Sequence, residues 1–77
     1  MKYDDFVSDN IRSFIRSTGK QPIYIYVGTQ EFQQLMNSEL MQFNERYYDK
    51  ETQLYGCRFF MGLKVMQVMQ STHFNIT

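Results

Sequence analysis

The side chains that could carry out covalent chemistry are few in this sequence. Cys57 is the one cysteine, His73 is the one histidine, and Ser71 and Thr72 are the hydroxyl groups beside that histidine. Nucleophilic catalysis needs a nucleophile, a base and an orienting group that converge in space, and no spacing here is a signature of such a set. A thiol inside an aromatic-rich segment is typically buried and unreactive. We therefore expect no enzyme activity.

The sequence pattern also contains no motif for binding a metal or a nucleotide. One cysteine and one histidine cannot complete a zinc site within a single chain. A phosphate-binding loop needs clustered glycines, and the glycines here stand singly. They are Gly19, Gly28, Gly56 and Gly62. The sequence therefore predicts no metal and no cofactor.

A basic stripe is the strongest ligand-binding pattern. Arg12, Arg16 and Lys20 follow one another at four-residue steps, which places them along one side of a helix. They could bind a small phosphate-bearing ligand, with Tyr24 or Tyr26 stacking on its base. The alternative is that these charges only make the outer face of the helix soluble.

Charge and composition exclude several classes of protein. Eight Lys and Arg balance eight Asp and Glu, which disfavours nucleic acid or an anionic membrane as the main partner. No apolar run approaches the roughly 20 residues of a membrane-spanning helix, and the acidic start of the chain lacks the apolar core of a signal peptide. We expect a cytosolic protein, or one built into a particle that assembles in a cytosol.

Apolar spacing predicts the elements of the first half of the chain. Residues 3–18 have apolar side chains at three- and four-residue steps, which indicates an amphipathic helix that Gly19 ends. Residues 23–27 are β-branched and aromatic, which predicts a central strand. A second amphipathic helix of about 14 residues is predicted from Thr29, with that residue as its cap.

The second half is predicted to be mainly β. Residues 44–53 are polar and predict a protruding loop, and residues 54–61 and 63–69 predict a hairpin that turns at Gly62. Residues 73–76 predict a short edge strand. The sequence thus predicts one α+β domain over residues 1–77, with two amphipathic helices packed on a small mixed sheet and a C-terminal β-hairpin.

Methionine and aromatic side chains exceed what one small sheet is expected to hide. A domain of this size without disulfides often gains stability by oligomerisation, and flexible thioethers suit adaptable interfaces. We therefore predict an interface with a second copy or another protein. Its candidate residues are Phe43, Phe60, Met61, Met66 and Met69.

The order of elements resembles the peripheral part of tailed-phage major capsid proteins. A helix leads to a proline-initiated strand and a short helix in residues 22–35, and residues 60–68 resemble a later strand of that family. The similarity covers residues 3–70, whereas family members are several times longer and often have proline at the position of Lys64.

The resemblance implies a small phage-encoded protein that assembles with itself or onto a virion. It would then reside in the host cytoplasm or in the virion. The alternative hypothesis is a small anti-defence or host-directed binder, which sequesters a nucleotide-like ligand or blocks a host enzyme. In that case the basic stripe and its neighbouring tyrosines would form the binding site.

Overall fold

The computed structural model describes residues 3–50 and 53–77. This part of the chain contains two helices and a five-stranded mixed sheet, which confirms the predicted α+β class. The elements in chain order are α1 (Tyr3–Thr18), β1 (Tyr24–Val27), α2 (Thr29–Met36), β2 (Met41–Asp49), β3 (Leu54–Phe60), β4 (Leu63–Gln67) and β5 (Phe74–Ile76).

The sheet has the strand order β2-β3-β4-β1-β5. β1 lies between its parallel neighbour β4 and its antiparallel neighbour β5, so the prediction of an interior strand is confirmed. β3 and β4 form the predicted hairpin, and its turn residues Met61 and Gly62 both have positive φ angles. Such a turn matches the natural twist of the strands. The predicted short edge strand is β5.

Both helices contribute to a core on one face of the sheet. α1 contacts α2 and β5, and α2 contacts β1. α1 begins with acidic residues and is terminated by Gly19, whose N–H donates to the Ile15 carbonyl oxygen at 2.8 Å. The buried core residues are Val7, Ile25, Val27, Leu35, Phe60 and Leu63.

The second helix is shorter than the sequence predicts. α2 ends at Met36, and the chain enters β2 at Met41. The hydroxyl of Ser38 accepts a hydrogen bond from the Leu40 N–H at 3.1 Å, which is how short polar side chains compete with a helix. Thr29 is not the cap either, because Gly28 occupies the cap position with no side-chain hydrogen bond.

The predicted loop at residues 44–53 is wrong for its first part. Residues 44–49 belong to β2, a nine-residue edge strand that pairs with β3. Most of this strand is exposed on both faces, so it needs no alternation of apolar and polar side chains, and its polar composition resembles a loop. Residues 51 and 52 of the predicted loop lie outside the described residues.

A first prediction concerns the hydroxyl of Tyr3 and its effect on the stability of the core. It is buried and has no hydrogen-bond partner among the described residues. Burial, reinforced by the Glu31 carboxylate, raises the pKa of Tyr3 to about 12. We expect Tyr3→Phe to raise the free energy of unfolding by about 1 kcal/mol, since an unsatisfied polar group is removed. Urea unfolding measures the change.

The pH dependence of the free energy of unfolding is a second measurement on Tyr3→Phe. An unfolded tyrosine loses its proton near pH 10, whereas folded Tyr3 keeps it until about pH 12. The native chain should therefore lose stability as the pH rises through this window, and Tyr3→Phe should lose less. The exposed Tyr55 is the control, and Tyr55→Phe should leave the free energy of unfolding at neutral pH unchanged. A less stable Tyr3→Phe variant would contradict the prediction.

Candidate interaction surface

The residues with catalytic potential do not converge. Cys57 is a buried free thiol on β3, and His73 lies just before β5 with its backbone N–H donating to the Glu31 carboxylate at 2.8 Å. Within residues 3–50 and 53–77, no three His, Cys, Asp or Glu side chains lie together as a ligand set for a metal ion.

The N-terminus of α2 lies at the carboxyl ends of the parallel strands, where many α/β folds bind anions. Here the amides are already used. The N–H groups of Gly28, Thr29 and Gln30 donate to carbonyl oxygens of His73, Gln70 and Ser71 at 2.9, 2.8 and 3.0 Å. These hydrogen bonds fasten the loop between β4 and β5 to the helix and leave those amides unavailable to an anion.

The basic stripe and the tyrosines predicted to work with it are on opposite sides of the sheet. Ile25 and Val27 point into the core beneath the helices, so Tyr24 and Tyr26 point to the helix-free face. Arg12, Arg16 and Lys20 are exposed on or beside α1, which packs on the other face. Arg12 pairs only loosely with Asp9, at 3.5 Å. The single phosphate and base site predicted from these residues is therefore not formed.

The predicted interface residues have different environments. Phe60 is fully buried in the core, which corrects its assignment to the interface. Met61 and Met66 are half-buried, whereas Phe43 and Met69 are exposed. Phe43 and Met69 thus remain accessible to a partner, although they lie on different elements.

A cluster that the sequence did not reveal lies on the β2–β3 hairpin. Tyr48 and Tyr55 face each other across the two strands, with ring centroids 5.1 Å apart. Tyr47 packs on Phe59 at 5.4 Å. Tyr47 and Leu54 lie on one face of this ribbon and Tyr48 and Tyr55 lie on the other, and all four side chains are exposed. We call Tyr47, Tyr48, Leu54 and Tyr55 the hairpin surface.

The hairpin surface lies where the β2–β3 ribbon diverges from the rest of the sheet. β3 pairs with β4 at only two positions next to the turn, Phe59 with Lys64 and Phe60 with Leu63. The rest of the β2–β3 ribbon leaves β4 and opens a cavity of about 310 Å³, which Cys57 and Met66 help to line. The tyrosines of this ribbon therefore lie outside the core cluster.

A buried ion pair ties the far end of this ribbon back to the sheet. The Lys64 ammonium lies 2.9 Å from the Asp49 carboxylate, and both side chains are less than a tenth exposed. Lys64 alternates with core residue Leu63, so it points to the helix-free face. Its nitrogen is also 5.9 Å from the ring centroids of Tyr24 and Tyr47, within the range of cation–π attraction.

Comparison with known proteins adds no relative. No protein-family model, curated protein or solved structure matches this chain. Within the described residues, neither helix combines the length and apolar character needed to cross a bilayer. The fold and surface define a class only: an α+β domain with two helices on a five-stranded mixed sheet and an aromatic hairpin exposed at its edge.

Proposed function

We propose that this chain is a non-enzymatic, phage-encoded protein that acts through protein–protein contacts and forms a homo-oligomer through its hairpin surface. The observation that carries the proposal is the exposure of large apolar side chains on one projecting ribbon. Aromatic residues, tyrosine above all, are enriched where proteins bind one another. The resemblance of residues 22–35 and 60–68 to phage capsid proteins supports a place in the virion or in the host cytoplasm.

Two further observations favour a second copy as the partner. The core is small for a domain without disulfides, and burial of the hairpin surface would add apolar contact that one copy lacks. The net charge of the chain is zero, so no long-range repulsion opposes association of identical copies. A host protein bound by the same ribbon is the competing form of the proposal.

The experiment compares two substitutions of equal chemistry and nearly equal exposure. Leu54 on the hairpin surface is 65% exposed, and Ile23 before β1 is 62% exposed. We expect Leu54→Asp to weaken self-association by at least about tenfold, because a carboxylate would be buried against apolar groups. Ile23→Asp should leave it unchanged. Light scattering after size-exclusion chromatography measures the mass across a concentration series.

The outcomes separate the competing forms. An oligomer that Leu54→Asp dissociates and Ile23→Asp does not supports the proposal. An oligomer that neither variant disturbs would mean that another surface mediates assembly. A native chain that stays at 9.3 kDa at high concentration would overturn self-assembly and favour a host protein as the partner.

A further inference from the structure

A groove follows the outer edge of β2, next to the hairpin surface. Its volume is about 720 Å³. Phe43 is 58% exposed, its ring packs over Gly56 and lies 5.3 Å from the Arg58 guanidinium, and Glu45 and Arg46 are exposed beside it. The residues that line the groove are Gln42, Phe43, Asn44, Glu45, Arg46 and Phe59.

The backbone beside this groove is not a regular strand edge. Between the pairs Asn44–Cys57 and Tyr48–Tyr55, β2 advances four residues while β3 advances two. The two extra residues form a bulge, and the Asn44 side-chain oxygen accepts a hydrogen bond from the Arg46 N–H at 3.1 Å. A bulge of this kind blocks continuation of the sheet by another strand. At the bulge a partner therefore binds through side chains, whereas residues 41–44 keep a regular register with β3.

The charges of the bulge are self-complementary. Glu45 and Arg46 are adjacent and opposite in charge, and a two-fold axis brings the same patch of two copies together in reverse order. Glu45 of each copy can then face Arg46 of the other, and the two Phe43 rings are brought to the same contact. Shifting the contact so that Glu45 faces Glu45, or Arg46 faces Arg46, would place like charges together.

We propose that this groove is a two-fold contact with a second copy of the chain, in which Glu45 of one copy pairs with Arg46 of the other. The inference rests on the proposed function and names the contact that sets the symmetry and register of the oligomer. The apolar hairpin surface supplies contact area beside it, and the reciprocal ion pairs select one arrangement over its shifted alternatives.

A charge swap tests the contact in the full chain. We expect Glu45→Arg and Arg46→Glu each to weaken the dimer by about tenfold or more, because each turns two attractive pairs into two repulsive ones. The double variant Glu45→Arg with Arg46→Glu should return to within about threefold of the native constant. Glu39→Arg and Arg16→Glu are the controls, since they change net charge equally at exposed positions off the groove. Sedimentation equilibrium gives the constants.

Each result has a distinct meaning. Rescue by the double variant, with neutral controls, supports the reciprocal pairing. Weakening by the single variants without rescue would overturn it, as would equal loss in the controls, which reports net charge alone. A native oligomer indifferent to all these changes would overturn this contact and leave the proposed function standing. A monomeric native chain would overturn the proposed function itself, and this contact with it.

Discussion

We expect Lys64→Met to lower the free energy of unfolding by about 3–5 kcal/mol, because it removes the ammonium that balances a buried carboxylate. The Asp49 and Lys64 side chains are 2.9 Å apart and almost inaccessible to water. A chain of this length has a total stability of about 4–12 kcal/mol, so the loss is a large part of the whole. Urea unfolding followed by circular dichroism measures it.

Two comparisons show whether burial causes the loss. Arg12→Met breaks the ion pair with Asp9, whose side chains are about 70% exposed, and should change stability by no more than about 1 kcal/mol. The double variant Asp49→Asn with Lys64→Met removes both charges and should recover at least half of the lost stability. Equal effects of Lys64→Met and Arg12→Met would contradict the prediction.

The same ion pair has a consequence for the hairpin surface. Asp49 ends β2 and Lys64 lies in the middle of the sheet, so their contact holds the ribbon over the helix-free face. Elements with few apolar contacts open locally before the whole chain unfolds. Cys57 lies on β3 within this ribbon and is only 7% exposed, and its rate of labelling by a thiol reagent reports such opening. Faster labelling of Lys64→Met in the absence of urea would show that the pair positions the surface.

Local signals explain which elements the sequence could predict. α1 combines apolar periodicity, ordered charges and a terminal glycine, and each of these acts within a few residues. β1 and the β3–β4 hairpin likewise combine β-forming residues with a breaker or a tight turn. Because these signals agree with one another and with the tertiary packing, the predicted class is confirmed. α1, β1, β3 and β5 lie within one residue of their predicted bounds, whereas β4 ends at Gln67 and not at the predicted residue 69.

The sequence does not predict β2, because the stability of this strand does not depend on a local pattern of apolar and polar residues. It is held by pairing with β3 on one edge, and a polar strand can satisfy that pairing without burying its side chains. The spacing of Leu40 and Phe43 continued the helical period of α2 by chance, while Ser38 carried the opposing signal. A short polar residue that bonds to the following backbone is evidence against continuing a helix.

The candidate surface was less predictable than the fold. Phe60 and Met69 both lie in or next to β-rich segments of the sequence, yet one is fully buried and the other fully exposed. Strand alternation determines the burial of Phe60, and the path of the loop after β4 determines the exposure of Met69. Only the three-dimensional register distinguishes the two positions. The pairing of Asp49 with Lys64 depends on the ribbon leaving β4, for which the sequence contains no local signal.

The second large effect is expected at Gly28, between β1 and α2. A Cβ atom added there would lie 2.7 Å from both the Gln70 carbonyl oxygen and the His73 nitrogen. These are backbone atoms of the loop that hydrogen-bonds to the start of α2, so they cannot rotate away as a side chain would. We expect Gly28→Ala to lower the free energy of unfolding by about 3 kcal/mol, at the upper end for overpacking. Urea unfolding measures this loss.

Gly19→Ala is the matched control, because it adds the same methyl group at a position where a different physical factor opposes it. Gly19 has a φ of +70° with nothing within 4 Å of the added atom, so only the backbone conformation resists the change, at about 1–2 kcal/mol. The difference between the two variants therefore measures how firmly the loop is held on α2. Equal losses would mean that the loop moves aside, and that its hydrogen bonds to Gly28, Thr29 and Gln30 contribute little to the stability of the fold.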